Sequence, residues 1–250
     1  MHGALWVAHG YRLFRAYPFA WLALCPAVWV ALFAIMFIPF AGPVIGLVLM
    51  PGITAGLMLA ASEAQRTRAP APALVIAPMR EKPRHFLQLG FAYAATVFLV
   101  MVIGFWLGGP KVAPSPGMAN PLGSLRTLMF ALPLYVPILL AFWFAPALVH
   151  WHAMKPGKAV FFSLIAAWRN LRAFLVYGAI WVLLQIVLPL PVSRLLKVLL
   201  PADLANFILA LVFVPYGLIV ACTFVCSYYS SYVALFPEHP DEPAPARPTV

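Results

Sequence analysis

The chain is 250 residues long, 64% of them hydrophobic and 9% charged, with a mean hydropathy of +0.96. An average soluble domain carries about 25% charged residues and cannot hide this much apolar surface in a core, so a soluble globule is excluded, as are a disordered chain, a coiled coil and a collagen. Sixteen Lys and Arg against six Asp and Glu leave a net charge of +10, but the basic residues stand at the ends of apolar runs, the pattern of membrane orientation and headgroup contact rather than of nucleic-acid binding.

Residues 1–17 read as an amphipathic helix lying in the membrane interface. Trp6, Val7, Gly10, Leu13, Phe14 and Tyr17 share one face, expected to turn down into lipid, and His9, Arg12 and Arg15 share the other. Six apolar stretches then follow at about 18–40, 42–62, 86–107, 128–150, 174–193 and 205–229. Each reaches the roughly 20 helical residues that cross a ~30 Å hydrocarbon layer. They are continuous rather than alternating, so they predict helices, not a barrel. The first run is longer than the hydrophobic region of a signal peptide and a second follows at once, so it is expected to remain uncleaved. The expected fold is an all-α polytopic transmembrane bundle, one domain over 1–236.

The first two spans are joined by Pro39, Phe40, Ala41, Gly42 and Pro43, a tight hairpin. Gly42 with Gly46, and Gly52 with Gly56, form GxxxG pairs, the second extended by Ala60 and Ala64. Such stripes let another backbone approach closely, either a span of the same chain or a second copy in a homodimer. Gly90 with Ala94 and Gly104 with Gly108 are similar pairs in the third span.

Before that span, Ala73–His85 is a basic stretch with Arg80, Lys82 and Arg84, interrupted by Pro78 and Pro83. Gly108–Thr127 is rich in Gly and Pro and reads as an irregular outer loop. Before the fifth span, Val160, Leu164, Ala167, Trp168 and Leu171 make an apolar face ahead of Arg169 and Arg172. Tyr11–Ala16 (YRLFRA) and Trp168–Ala173 (WRNLRA) share the order aromatic, Arg, any residue, apolar, Arg, Ala. One reading is three copies of a basic interfacial helix followed by a two-span hairpin. The plainer reading is that spans entering from the cytoplasm carry Arg before them. The even spans hold internal prolines (Pro51; Pro133, Pro137 and Pro146; Pro215), which kink a helix and serve either packing or a hinge. The last stretch, Pro237–Val250, is Pro-rich and acidic and reads as a disordered cytoplasmic tail over 237–250.

With the N-terminus inside, only Lys111, Arg126, Arg194 and Lys197 of the 16 basic residues fall outside, leaving 12 inside. Both termini are therefore expected in the cytoplasm.

Chemistry-bearing groups are few. Glu63 ends the second span, and His150 and His152 end the fourth. A Glu63–histidine pair is the one polar site to weigh, though the two histidines, two apart on a helix, diverge by about 200° and cannot chelate one ion together. Cys25, Cys222 and Cys226 lie in apolar runs, read as small hydrophobes rather than as a disulfide framework or soft-metal site. No HExxH, GxSxG, P-loop, GxGxxG or CxxC occurs and no carboxylate pair is placed for acid–base work, so no catalytic residue, cofactor or metal is implied.

YRLFRAYPFAWLAL (Tyr11–Leu24), the GPVIG hairpin, MPGITAGLMLAA (Met50–Ala61) and FAPALVHWHAMKPGKAVFFSLIAAWRNLRAFLVYG (Phe144–Gly178) together resemble an uncharacterised family of small six-span bacterial inner-membrane proteins. More distantly, the chain is similar to the membrane region of some bacterial glycerophosphodiester phosphodiesterases. Their soluble domain is wholly absent, so the resemblance implies no such activity. It implies a multi-pass protein of the bacterial cytoplasmic membrane. The expected function is non-enzymatic: binding a partner protein, or organising anionic lipid, through Arg12, Arg15, Arg80, Lys82, Arg84, Arg169 and Arg172. The alternatives are a small transporter or channel for a neutral or apolar solute, and a lipid-directed enzyme that would need Glu63, His150 or His152 in a connected polar site.

Overall fold

The computed structural model describes residues 2–108 and 121–236, and every regular element among them is helical. In chain order they are α1 (His2–Ala16), α2 (Pro18–Met36), α3 (Gly42–Gln65), α4 (Ala73–Glu81), α5 (Pro83–Gly108), α6 (Pro121–Trp143), α7 (Ala145–Trp151), α8 (Pro156–Arg169), α9 (Leu171–Val182), a π-helical turn (Leu183–Val187), α10 (Pro189–Leu199) and α11 (Ala202–Leu235). Proline opens α2, α5, α6, α8 and α10, where its missing N–H is not needed and its fixed φ suits the first turn. Six helical stretches are long and apolar enough to cross a membrane: 18–36, 42–65, 83–107, 129–151, 171–199 and 202–235. They coincide with the six expected runs. The chain is an all-α polytopic bundle.

Two expectations shift in detail. The helix resumes at Pro121, so the outer loop expected over 108–127 is shorter, and its residues 109–120 lie outside the described ones. The expected tail, 237–250, lies outside them too. The order short helix, span, span runs three times: α1–α2–α3, α4–α5–α6/α7 and α8–α9/α10–α11. The two matching hexapeptides do not occupy matching places. YRLFRA lies inside α1, whereas WRNLRA straddles the junction between α8 and α9.

The helices group into two compact units. Among the described residues the first holds 2–34, Thr54–Ala77 and 170–236. Here α1 packs on α9 and α11. Trp6 meets Phe174 and Tyr177 edge to face, at 5.4 and 5.8 Å between centroids, and the Tyr177 hydroxyl lies 2.7 Å from Ser227 Oγ. Gly10 is where α11 comes closest: a Cβ there would stand 2.5 Å from Ser227 Cα. Trp21 of α2 is fully buried; its indole N–H donates to the Leu13 carbonyl, and its own carbonyl accepts from the Cys222 thiol. Trp6, Gly10, Leu13 and Phe14 are therefore covered by protein. This corrects the expectation that the apolar face of α1 rests on lipid: aromatic and small residues make it a better surface for a helix than for acyl chains.

The fifth span is interrupted. In the π-helical turn the Leu188 N–H donates to the Leu183 carbonyl, one residue further back than in an α-helix. The Leu184 carbonyl is then left waiting for the N–H of residue 189, which is proline and has none. The Tyr216 hydroxyl of α11 donates to that carbonyl at 2.5 Å. A freed backbone group at membrane depth is thus met by a neighbouring helix, as lipid requires. Beyond it, α10 carries Arg194 and Lys197 among Leu and Val, an amphipathic helix that the expected boundary at 193 misses.

The second unit holds Ile35–Ile53 and Pro78–Arg169. Its antiparallel pair α5 and α6 is tied by the Tyr93 and Tyr135 hydroxyls at 2.9 Å, and α8 packs on α5, α6 and α7. The packed face of α8 is Ala159, Ser163 and Ala167, all fully buried, while Phe161 and Trp168 are exposed. The expected face included Trp168. The small residues at four-residue spacing win because they let the helix axes approach.

Candidate functional site

Beyond the contacts already described, polar side chains meet backbone or one another at three places along the helices. The first is the break in the fourth span. In an unbroken helix the Phe144 N–H would donate to the Leu140 carbonyl. Instead the Ser163 hydroxyl stands between them: Phe144 N–H donates to Ser163 Oγ at 2.8 Å, and Ser163 donates to the Leu140 carbonyl at 2.9 Å. Pro146 follows with no N–H to offer Phe142, and a new ladder starts with Leu148 N–H on the Phe144 carbonyl. A side chain inserted in the ladder and a proline two residues later are sufficient cause for the break. Phe144 and Ser163 are fully buried.

The second place is the far end of α7. Lys82, between α4 and α5, donates to the carbonyls of Val149 (3.2 Å) and His150 (2.5 Å). A cation on the last carbonyls of a helix satisfies orphan acceptors and complements the dipole. Ala153 closes the turn at φ +49°, where His152 N–H and Met154 N–H both reach the Leu148 carbonyl. The His150 ring nitrogen Nδ1 is 3.6 Å from a Glu81 carboxylate oxygen. Lys82, expected as a lipid contact, thus holds backbone in place.

The third place is the end of α3. The Glu63 carboxylate reaches Arg66 at 3.5 Å and Arg68 at 3.2 Å. Thr67, at φ +62°, turns the chain so that Arg68 N–H meets the Glu63 carbonyl. Within its own unit Glu63 takes two arginines, and within its own unit His150 approaches Glu81. Among the described residues no three His, Cys, Asp or Glu side chains stand together as a metal site. Cys25, Cys222 and Cys226 are free and buried.

The glycine stripes are covered within the chain. Gly42 faces the Ile35 carbonyl across the hairpin and Gly46 faces Met36. Gly52 faces the Met79 side chain and Gly56 the Val75 backbone, both on α4. The second GxxxG therefore docks a short helix of the same chain.

Of the basic residues expected to meet lipid or a partner, the arginines are exposed. Arg12 and Arg15 on α1, Arg80 at the end of α4, Arg84 at the start of α5, and Arg169 and Arg172 around the α8–α9 junction are all exposed. Among the described residues none of these six is in an ion pair. Arg15 stacks over Tyr11 at 5.9 Å. His9, half-buried on the same helix, is held below its ordinary pKa, first by burial and then by Arg12 one turn away.

A probable inner membrane protein of Burkholderia thailandensis is 32% identical over 254 residues, spanning 94% of this chain and 90% of its own length. No family model and no solved structure matches. The likeness to the membrane region of glycerophosphodiester phosphodiesterases finds no support in these comparisons.

Proposed function

The chain belongs to the family of that probable inner membrane protein and is itself a multi-pass inner-membrane protein; from this premise we propose that it is non-enzymatic and gathers anionic lipid around its basic short helices. The observation that carries this reading is the set of six exposed arginines at the ends of apolar helices, without carboxylate partners among the described residues. Near an anionic surface each Lys or Arg contributes about 1 kcal/mol, and guanidinium forks match phosphate geometry. The same charge bias supports a cytoplasmic side for the basic ends and both termini. A platform so enriched in anionic headgroups offers a docking surface to a partner protein.

The test is native mass spectrometry of protein extracted from membranes into nanodiscs. Wild type should co-purify with enriched anionic lipid, and the Arg12→Gln/Arg15→Gln/Arg169→Gln/Arg172→Gln variant should lose that enrichment. An identical lipid profile in both refutes the reading.

Transport of a neutral or apolar solute is a second reading, favoured by the interruptions of the fourth and fifth spans, since broken helices line substrate paths in transporters. It requires solute flux in proteoliposomes that Pro146→Ala or Pro189→Ala alters.

A further inference from the structure

We propose that the turn joining α2 and α3, residues 37–41, stays inside the membrane: Ile38 and Phe40 lie among the acyl chains of the leaflet opposite the basic helix ends, and the turn does not emerge into water. Four observations lead there.

The first is length. The 19 residues of α2 rise about 28 Å, and the stretch of α3 from Gly42 to Ala61 rises about 30 Å. With a typical tilt near 20° both legs carry the turn only about 27 Å across a hydrocarbon layer of about 30 Å. Their near ends are set by exposed Arg15 on one side and by Glu63 with Arg66 and Arg68 on the other. The third hairpin differs: its legs are 29 and 34 residues long, rising about 43 and 51 Å, and its turn region carries Arg194, Lys197 and Asp203.

The second is chemistry. No charged side chain occurs from Pro18 to Ala61, and the turn itself is Phe37, Ile38, Pro39, Phe40 and Ala41. Of the residues usual in turns, Pro39 and the adjoining Gly42 are present, but none of the Asn, Asp or Ser that would hydrogen-bond water is.

The third is the backbone. Irregular chain in lipid must satisfy its own polar groups. The Ile38 N–H donates to the Ile35 carbonyl (3.0 Å), Ala41 N–H to Pro39 (2.6 Å), Gly42 N–H to Ile38 (2.9 Å) and Ile45 N–H to Ala41 (2.9 Å). Pro39 and Pro43 bring no donor at all, and Phe40 N–H makes no bond among the described residues.

The fourth is strain without packing. Phe40 holds φ +61°, a conformation bulky residues rarely adopt, and is 99% exposed. Glycine would relieve the backbone, and no contact among the described residues accounts for the ring. Insertion among acyl chains does, and the exposed faces of Phe33 and Met36 continue the same apolar surface along α2.

The experiment places a bimane fluorophore on Phe40→Cys, on Ile38→Cys and on Lys197→Cys, and reconstitutes the full chain in phosphatidylcholine–phosphatidylglycerol vesicles. The native cysteines are buried, so wild type serves as the unlabelled control. Iodide in the water should quench Lys197→Cys several-fold more than Phe40→Cys or Ile38→Cys, and lipids with a doxyl group on the acyl chain should do the reverse. Iodide quenching of Phe40→Cys and Ile38→Cys equal to that of Lys197→Cys overturns the proposal. Failure of both quenchers at the turn also overturns it, because the tip would then be covered by protein.

Discussion

Replacing Ser163 with alanine removes the hydroxyl that stands in the break of the fourth span. Two backbone groups lose their partner at once, the Phe144 N–H and the Leu140 carbonyl. Both belong to buried residues, with Leu140 only 7% and Phe144 0% exposed, so water does not replace the hydroxyl. A lost hydrogen bond costs about 1 kcal/mol net, and about 1–3 kcal/mol where the orphaned group stays buried. Side-chain bonds between membrane helices average about 0.6 kcal/mol, which sets the floor. Two bonds therefore give a loss of about 1–6 kcal/mol. The lower value applies if the ladder heals by direct bonding of Phe144 to Leu140. Healing would shift α7, and with it the Val149 and His150 carbonyls that Lys82 holds. The assay is reversible unfolding in bicelles, with Ser163→Thr as the variant that keeps the hydroxyl. Hydrogen exchange at Phe144 and Leu148 reports healing. A Ser163→Ala protein within about 0.3 kcal/mol of wild type, with unchanged exchange, would refute the argument that the inserted hydroxyl maintains the break.

Other outcomes follow from the same geometry. Tyr216→Phe orphans the Leu184 carbonyl and should cost about 0.5–2 kcal/mol in the same unfolding assay, with faster hydrogen exchange around the π-helical turn. Gly10→Ala puts a methyl against the Ser227 backbone, so α1 must move off α11; a loss of about 1–3 kcal/mol and a changed Trp6 environment in fluorescence are expected. His9 sits below its ordinary pKa in the folded protein, so the undocked helix takes up the proton first as pH falls. Docking of α1 should hold fully above about pH 6.5 and weaken on acidification through the lower folded value. Limited proteolysis of α1 at about pH 5 and about pH 7.5 measures this, and His9→Gln should flatten the difference.

Among the candidate residues, the exposure of the arginines was legible. Arg12, Arg15, Arg80, Arg84, Arg169 and Arg172 are exposed, as charged groups flanking apolar helices must be. Lys82 was not separable from them, because a lysine in a basic stretch looks the same whether it meets headgroups or the carbonyls of a helix 67 residues away in sequence. Ser163 gave one readable signal, its place in the Ala159–Ser163–Ala167 stripe at four-residue spacing. The stripe marks a close helix contact without saying that the hydroxyl enters the ladder of the partner. Likewise GxxxG marked Gly52 and Gly56 as a place of close approach, and only the folded chain identified α4 as what approaches.

The sequence by itself determined the six spans, their all-helical character and the basic short helices before them. These follow from local properties: the length of an apolar run against bilayer thickness, and the cost of leaving backbone groups unpaired in lipid. The tertiary structure alone decided that α1 is docked by Trp6 and Gly10 rather than lying on lipid, that the fourth span breaks at Phe144, and that Tyr216 attends to Leu184. Each of those depends on groups far apart in the chain meeting within hydrogen-bond or van der Waals reach. Hydrophobic patterning carries no information about such meetings, because inside a membrane a helix is apolar on every side whether it faces lipid or protein.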